Sequence, residues 1–154
     1  MSPVNLHGTV IALGGIGILI RGPSRSGKSA LALSALRRAE MLGLSAALVA
    51  DDQVFIEIRE GQVEAVAPAP IRGLIEISGV GILHEASIDR IALQLVVDLC
   101  EPETLHRLPG VLRTAIAGTD LRLIVLPARQ AAFSADVLVS LARGGAADFG
   151  LLEA

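Results

Sequence analysis

Apolar residues along this chain come in short blocks, not in one long periodic stretch. Leu6 to Leu13 is apolar and rich in strand formers apart from His7, and Ile16-Gly17-Ile18-Leu19-Ile20 is a second unbroken run. Gly14-Gly15 between them is a hairpin-type dipeptide, so Val10 to Ile20 reads as two antiparallel strands. The spacing of Leu31, Leu33, Ala35, Leu36 and Ala39 then gives one broad stripe on a helix from about Lys28 to Leu42. Arg37 and Arg38 near its end suit the helix C-terminus, and Gly43 reads as the residue that stops it.

Ser45 to Ala50 is apolar without alternation, the pattern of a central strand covered on both faces, and it ends in Asp51-Asp52. Val54 to Arg59 and Gln62 to Val66 flank Glu60-Gly61, which predicts a tight hairpin. Leu74-Ile75-Glu76-Ile77 and Gly79-Val80-Gly81-Ile82 are apolar but glycine-spaced and fit no single element. Ile91 to Leu99 predicts a buried strand ending near Asp98, and 102–118 predicts irregular loop. Leu121 to Leu126 reads as a strand stopped by Pro127, and Ser134 as the N-cap of a last helix, Ala135 to Arg143. The expected class is α/β: a single domain over 1–154 with a mixed β-sheet and one long helix after the glycine-rich loop, not a fully parallel doubly wound sheet.

Composition narrows the function classes. The 154 residues are 52% apolar with only three aromatics, all Phe, so the core is aliphatic. A net charge of −3, scattered arginines and no aromatic-plus-basic surface speak against nucleic acid. Cys100 is alone, which leaves no internal disulfide, and no Cys/His cluster has zinc spacing. No apolar run has the length to span a bilayer and the N-terminus lacks the basic region of a signal peptide, so the expectation is a cytoplasmic protein without a membrane partner.

Gly22-Pro23-Ser24-Arg25-Ser26-Gly27-Lys28-Ser29 fits G-x-x-x-x-G-K-[ST] at every defined position, between a predicted strand and a predicted helix. That context predicts loop N–H groups and a helix N-terminus facing a polyphosphate, Lys28 reaching the β/γ-phosphates and the Ser29 hydroxyl on Mg²⁺. Lys28 is the sole lysine of the chain. A P-loop needs a carboxylate from a neighbouring strand end, and Asp51-Asp52 offers two: one for the metal side, one to take a proton from an attacking hydroxyl. Glu76 sits between Ile75 and Ile77, which predicts a buried carboxylate that must be paired or metal-bound. His7 is placed in a strand beside the P-loop strand. A lone strand histidine is more often a satisfied core or edge residue than a catalyst, and both readings stay open.

Four ordered motifs, His7-Gly8, the P-loop, Ala50-Asp51-Asp52 and Leu74-Ile75-Glu76-Ile77-x-Gly79-Val80-Gly81-Ile82, resemble the catalytic domain of the HPr kinase/phosphorylase family over roughly residues 4–143. The resemblance implies an ATP- and Mg²⁺-dependent protein-serine kinase acting on HPr, the small phosphocarrier protein of the phosphotransferase system, with the reverse phosphorolysis, and a homo-oligomer. It makes His7 the active-site histidine, Lys28 the phosphate-binding lysine, Asp52 the base of the forward reaction and acid of the reverse, and Ser29 and Glu76 metal ligands beside Asp51. Arg107, in His106-Arg107-Leu108, matches the family's catalytic arginine, and Pro127-Ala128-Arg129 a stretch tied to dephosphorylation.

The chain departs from the family at Ala30, where an acidic residue is common, at Ser78, which replaces an arginine, and at Gln130-Ala131-Ala132. Against the family pattern, the expectation is a short alphaproteobacterial-type form without the N-terminal domain and much of the C-terminal helical region, which bears on phosphorolysis and on the family's hexamer. Two other readings stand beside the leading one: a degenerate ATP-binding sensor without transfer activity, and a small-metabolite P-loop kinase.

Overall fold

The computed structural model describes residues 3–152. The chain runs β1 (Val4–His7), β2 (Thr9–Leu13), β3 (Ile16–Arg21), α1 (Lys28–Met41), β4 (Ala46–Ala50), β5 (Gln53–Arg59), β6 (Gln62–Val66), β7 (Leu74–Ile77), β8 (Gly81–His84), β9 (Arg90–Cys100), β10 (Leu112–Ile116), β11 (Thr119–Pro127) and α2 (Ala131–Arg143). Nine strands share one sheet in the order β1-β5-β6-β9-β3-β2-β4, with β11 on β9 and β10 on β11. The β3–β9 and β9–β11 pairs are parallel and the others antiparallel, so the sheet is mixed as expected.

The central strands are buried on both faces because each face has its own cover. Leu31, Ala32, Ala35 and Leu36 of α1 and Leu138 and Val139 of α2 pack on Ile11, Ile18, Ile20, Leu95 and Val97. On the opposite face Val10, Leu19, Val49 and Val96 meet Val54 and Ile56 of β5 and Val63 and Ala65 of β6. Removing each of the Val, Leu and Ile side chains from water contributes about 1.5–3 kcal/mol, and two covers explain why β2 and β3 carry no polar alternation.

The β2–β3 hairpin turns on Gly14 and Gly15, at φ 57° and 81°, a pair of left-handed residues that the strand twist demands. Helix α1 ends as expected at Gly43, with φ 79°, where the Leu44 N–H donates to the Ala39 carbonyl and the Gly43 N–H to Glu40.

The β2–β4 ladder holds one irregularity. Ile11 pairs with Leu48 but Val10 with Ala50, leaving Val49 as an extra residue. Val49 and Ala50 consequently both face the β5–β6 side. A β-bulge of this kind turns the following side chain to the other face of the sheet, and the following residue is Asp51.

Several expectations need correction. Leu6 to Leu13 is not one strand: it breaks at Gly8, where a Cβ would lie 2.9 Å from Leu19 Cδ1 and 3.1 Å from the Ile20 carbonyl oxygen. His7 therefore belongs to β1, whose partner is β5, and not to the strand beside the P-loop strand. The 102–118 stretch is only partly loop, since β10 pairs with β11 through Ala117-Gly118, at φ 48° and 81°. Alanine is a poor left-handed residue, so that turn carries a weak sequence signal. Helix α2 begins at Ala131, and Ser134 lies buried within it without a capping bond. The glycine-spaced stretch is a separate hairpin, β7–β8, standing off the main sheet.

Candidate active site

The glycine-rich loop over the G-x-x-x-x-G-K-[ST] motif connects β3 to α1, and its glycines are needed where they stand. A Cβ on Gly22 would lie 2.5 Å from Ser26 Oγ, and Gly27, at φ 92°, precedes the first helical residue. The Ser26 N–H closes a turn on the Pro23 carbonyl at 3.1 Å. Lys28 is 8% exposed, and its ammonium donates to the carbonyls of Gly22 (2.9 Å) and Pro23 (3.2 Å). The first turn of α1 leaves backbone N–H groups without helical partners facing the same loop.

Asp51, turned onto the helix face by the bulge in β4, is 7% exposed. Its Oδ1 accepts from the Ser29 hydroxyl at 2.7 Å and from the Thr9 hydroxyl at 3.0 Å, and its Oδ2 accepts from the Glu76 backbone N–H at 3.0 Å. One carboxylate thus ties together the P-loop helix, the central strand β2 and the β7–β8 hairpin. Nothing in the sequence distinguishes Thr9, because threonine is an ordinary strand former.

Asp52 faces the other way. It is exposed, and its Oδ1 lies 2.5 Å from His7 Nε2. Its backbone sits at φ 72°, and the Gln53 N–H donates to the Asp51 carbonyl at 2.9 Å, which makes Asp52 the centre of a three-residue turn. Positive-φ turns of this type are rare and strained. Non-glycine residues in such conformations cost of order 1–3 kcal/mol and cluster at functional sites.

Glu76 is exposed, contrary to the buried carboxylate expected from its apolar neighbours. A two-stranded hairpin has one open face, and Glu76 is on it while Ile75 is fully buried. The hairpin is tied to α1 by a bidentate pair, Arg37 to Glu85, with both N···O distances 2.8 Å. The Arg37 guanidinium holds the Glu85 carboxyl below its usual range.

These groups surround one open cleft of about 800 Å³. Its lining includes His7, Lys28, Ser29, Asp51, Asp52 and Glu76, together with Ala30 and Ser78, two of the positions where the chain departs from the motif. A smaller, mainly apolar groove of about 160 Å³ lies on the other side of His7. Hydroxyl and carboxylate oxygens suit a hard cation such as Mg²⁺, which completes its octahedron with water and phosphate oxygens. Among the described residues no three His, Cys, Asp or Glu form a metal cluster by themselves.

Residues 1–143 match the HPr serine kinase C-terminal domain. The chain belongs to the HPr serine kinase C-terminal domain family. It is similar to the HPr kinase/phosphorylase of Brevibacillus brevis, with 32% identity over 136 residues, 80% of this chain and 42% of that protein. It is also similar to that of Acidovorax sp., with 34% identity covering 66% of this chain and 33% of that one. The chain thus spans less than half the length of these curated relatives. Its fold matches the Hpr(Ser) kinase/phosphatase of Coxiella burnetii with a TM-score of 0.80 at 24% identity, over 92% of this chain and 89% of that one.

Two arginines singled out in the sequence lie elsewhere. Arg107 is exposed on the 101–110 segment and does not line the cleft. Arg129 touches the P-loop through its backbone, its N–H donating to the Ser26 carbonyl at 3.0 Å, at a strained φ of 58°. Its side chain turns to Glu101 Oε2 at 2.6 Å, which raises the guanidinium pKa. No helix among the described residues is long and apolar enough to cross a membrane.

Proposed function

We propose that this domain is the catalytic unit of an ATP-dependent protein-serine kinase whose acceptor is an HPr-like phosphocarrier protein. The observation that carries this reading is the division of labour between adjacent carboxylates at one cleft. Asp51 is buried on the Ser29 hydroxyl of the P-loop, and Asp52 is exposed on His7. In-line phosphoryl transfer asks for those two things, a group organising the phosphate and metal side and a free base on the acceptor side. The names of the relatives supply the acceptor.

In this reading the P-loop N–H groups and Lys28 hold the phosphates, Lys28 leaving its two loop carbonyls to do so. Ser29 and Glu76 would hold Mg²⁺, with Asp51 behind Ser29 on the metal side. When bound, Mg²⁺ neutralises charge on the β- and γ-phosphate oxygens. Asp52 takes the proton from the acceptor serine Oγ, and His7 fixes the carboxylate and its neighbouring charge. In the reverse direction Asp52 returns a proton to the serine oxygen. Arg107, which lies outside the cleft, is assigned to the transfer step on its match to the family's catalytic arginine alone. A homo-oligomer in the cytoplasm completes the proposal.

A non-transferring nucleotide sensor is the second reading, favoured by Ser78 at the cleft where the family motif has arginine. Incubation with ATP, Mg²⁺ and an HPr-like protein, followed by mass spectrometry of the acceptor, tests both. Phosphoserine on the acceptor supports the kinase. Tight ATP binding without transfer to any HPr-like protein tried makes the chain a sensor.

A further inference from the structure

We infer that Thr9 is a positioning residue of the cleft, holding Asp51 so that the Ser29 oxygen is presented to a cation. This rests on the nucleotide and metal reading above. Thr9 has no exposed surface, and its hydroxyl donates to Asp51 Oδ1, the same oxygen that accepts from Ser29. Ser29 spends its only proton on Asp51, which leaves its lone pairs facing the cleft. The direction in which those lone pairs point is therefore set by where Oδ1 sits.

Oδ1 is fixed from two sides. The bulge at Val49 brings Asp51 level with Thr9, which pairs with Ile20 in the central β2–β3 ladder and cannot move independently. The Glu76 N–H holds Oδ2 at 3.0 Å. Without the Thr9 hydroxyl the carboxylate keeps one donor per oxygen and is free to swing about the Glu76 contact, carrying the Ser29 proton with it. Groups that orient a metal ligand without touching the metal typically control metal affinity by 10–100-fold. Thr9 is the one polar residue of β2, and its hydroxyl has no other hydrogen-bond partner among the described residues.

The test is calorimetric titration of ATP, with Mg²⁺ and separately in EDTA, on the parent chain and on Thr9→Val and Thr9→Ser, each checked by thermal melting. Thr9→Val keeps the shape and removes the proton donor; Thr9→Ser keeps the donor. The expected result is a loss of roughly ten-fold in the Mg²⁺-dependent part of ATP affinity for Thr9→Val, parental affinity in EDTA, and recovery in Thr9→Ser. Parental Mg²⁺ dependence in Thr9→Val, an equal loss in EDTA, or a serine variant as impaired as the valine one overturns the role of Thr9 alone. Should Thr9→Val melt early, Thr9→Ala is read by the same criteria. A parent chain whose ATP affinity ignores Mg²⁺ overturns the metal reading itself and this inference with it.

Discussion

His7 and Asp52 lie 45 residues apart in the chain, yet their side chains meet at 2.5 Å. The contact is built by backbone pairing. His7 stands opposite Gln53 in the β1–β5 ladder, and the Gly8 N–H donates to the Asp52 carbonyl at 3.0 Å. The strained turn at Asp52 then aims the carboxylate out of the sheet toward the imidazole.

Asp52→Asn tests the base. Asparagine tolerates positive φ about as well as aspartate, so the turn survives and only the proton-accepting charge is lost. Transfer to the acceptor serine falls by roughly two to four orders of magnitude, the range of a general base, while ATP affinity stays near parental. Single-turnover transfer at saturating ATP measures it, and a parental rate removes Asp52 from the role.

Lys28→Ala tests the phosphate site. The variant keeps the melting temperature within a few degrees, since Lys28 bonds only to loop carbonyls. Its ATP affinity drops below detection in a fluorescence titration. Undiminished binding by a folded variant defeats the P-loop reading.

Gly17→Ala tests the packing of the central sheet. A Cβ there would lie 2.2 Å from the Ala92 carbonyl oxygen and 3.0 Å from its carbon, so β9 must shift away from β3. The expected destabilisation is about 3 kcal/mol, read from urea denaturation midpoints. A change below ~1 kcal/mol would show that the β3–β9 seam yields more easily than its geometry implies.

The Arg37–Glu85 pair predicts a pH dependence. The folded-state pKa of Glu85 lies below its ordinary value, so its contribution to stability is complete above the ordinary carboxylate pKa. It is lost as pH falls through the lowered one. Half of the Arg37 side chain is exposed, which limits the effect to roughly 0.5–1 kcal/mol. Glu85→Gln lowers the melting temperature at neutral pH, and the gap to the parent closes on acidification. A gap of constant size across the acid range refutes the assignment.

Phosphorolysis is expected to be weak relative to the forward reaction. The Arg129 side chain is engaged by Glu101, and Gln130-Ala131-Ala132 offers no charge at the start of α2. Pyrophosphate release from seryl-phosphorylated acceptor plus phosphate is the measurement, and a rate matching the kinase direction contradicts it.

The strands that flank Gly14-Gly15 and Glu60-Gly61, and the helix that follows the glycine-rich 22–29 loop, are readable from the chain, because each depends on local chemistry. Glycine supplies left-handed turns, helical spacing supplies one apolar stripe, and G-x-x-x-x-G-K-[ST] fixes a backbone. The motif order likewise carries the family, since His7, Asp51, Asp52 and Glu76 keep their place in sequence however they are arranged in space. What the tertiary structure alone decided is which way those residues point. Strict alternation from Leu48 would put Asp51 on the face away from α1, and the extra residue Val49 reverses that. Side chains alternate with a period of two, so one inserted residue exchanges the faces of all that follow. No local pattern announces the bulge in an unbroken apolar run. The same insertion sends Asp51 to Ser29 and Thr9 on the helix side, and leaves Asp52 to His7 at the open mouth of the cleft.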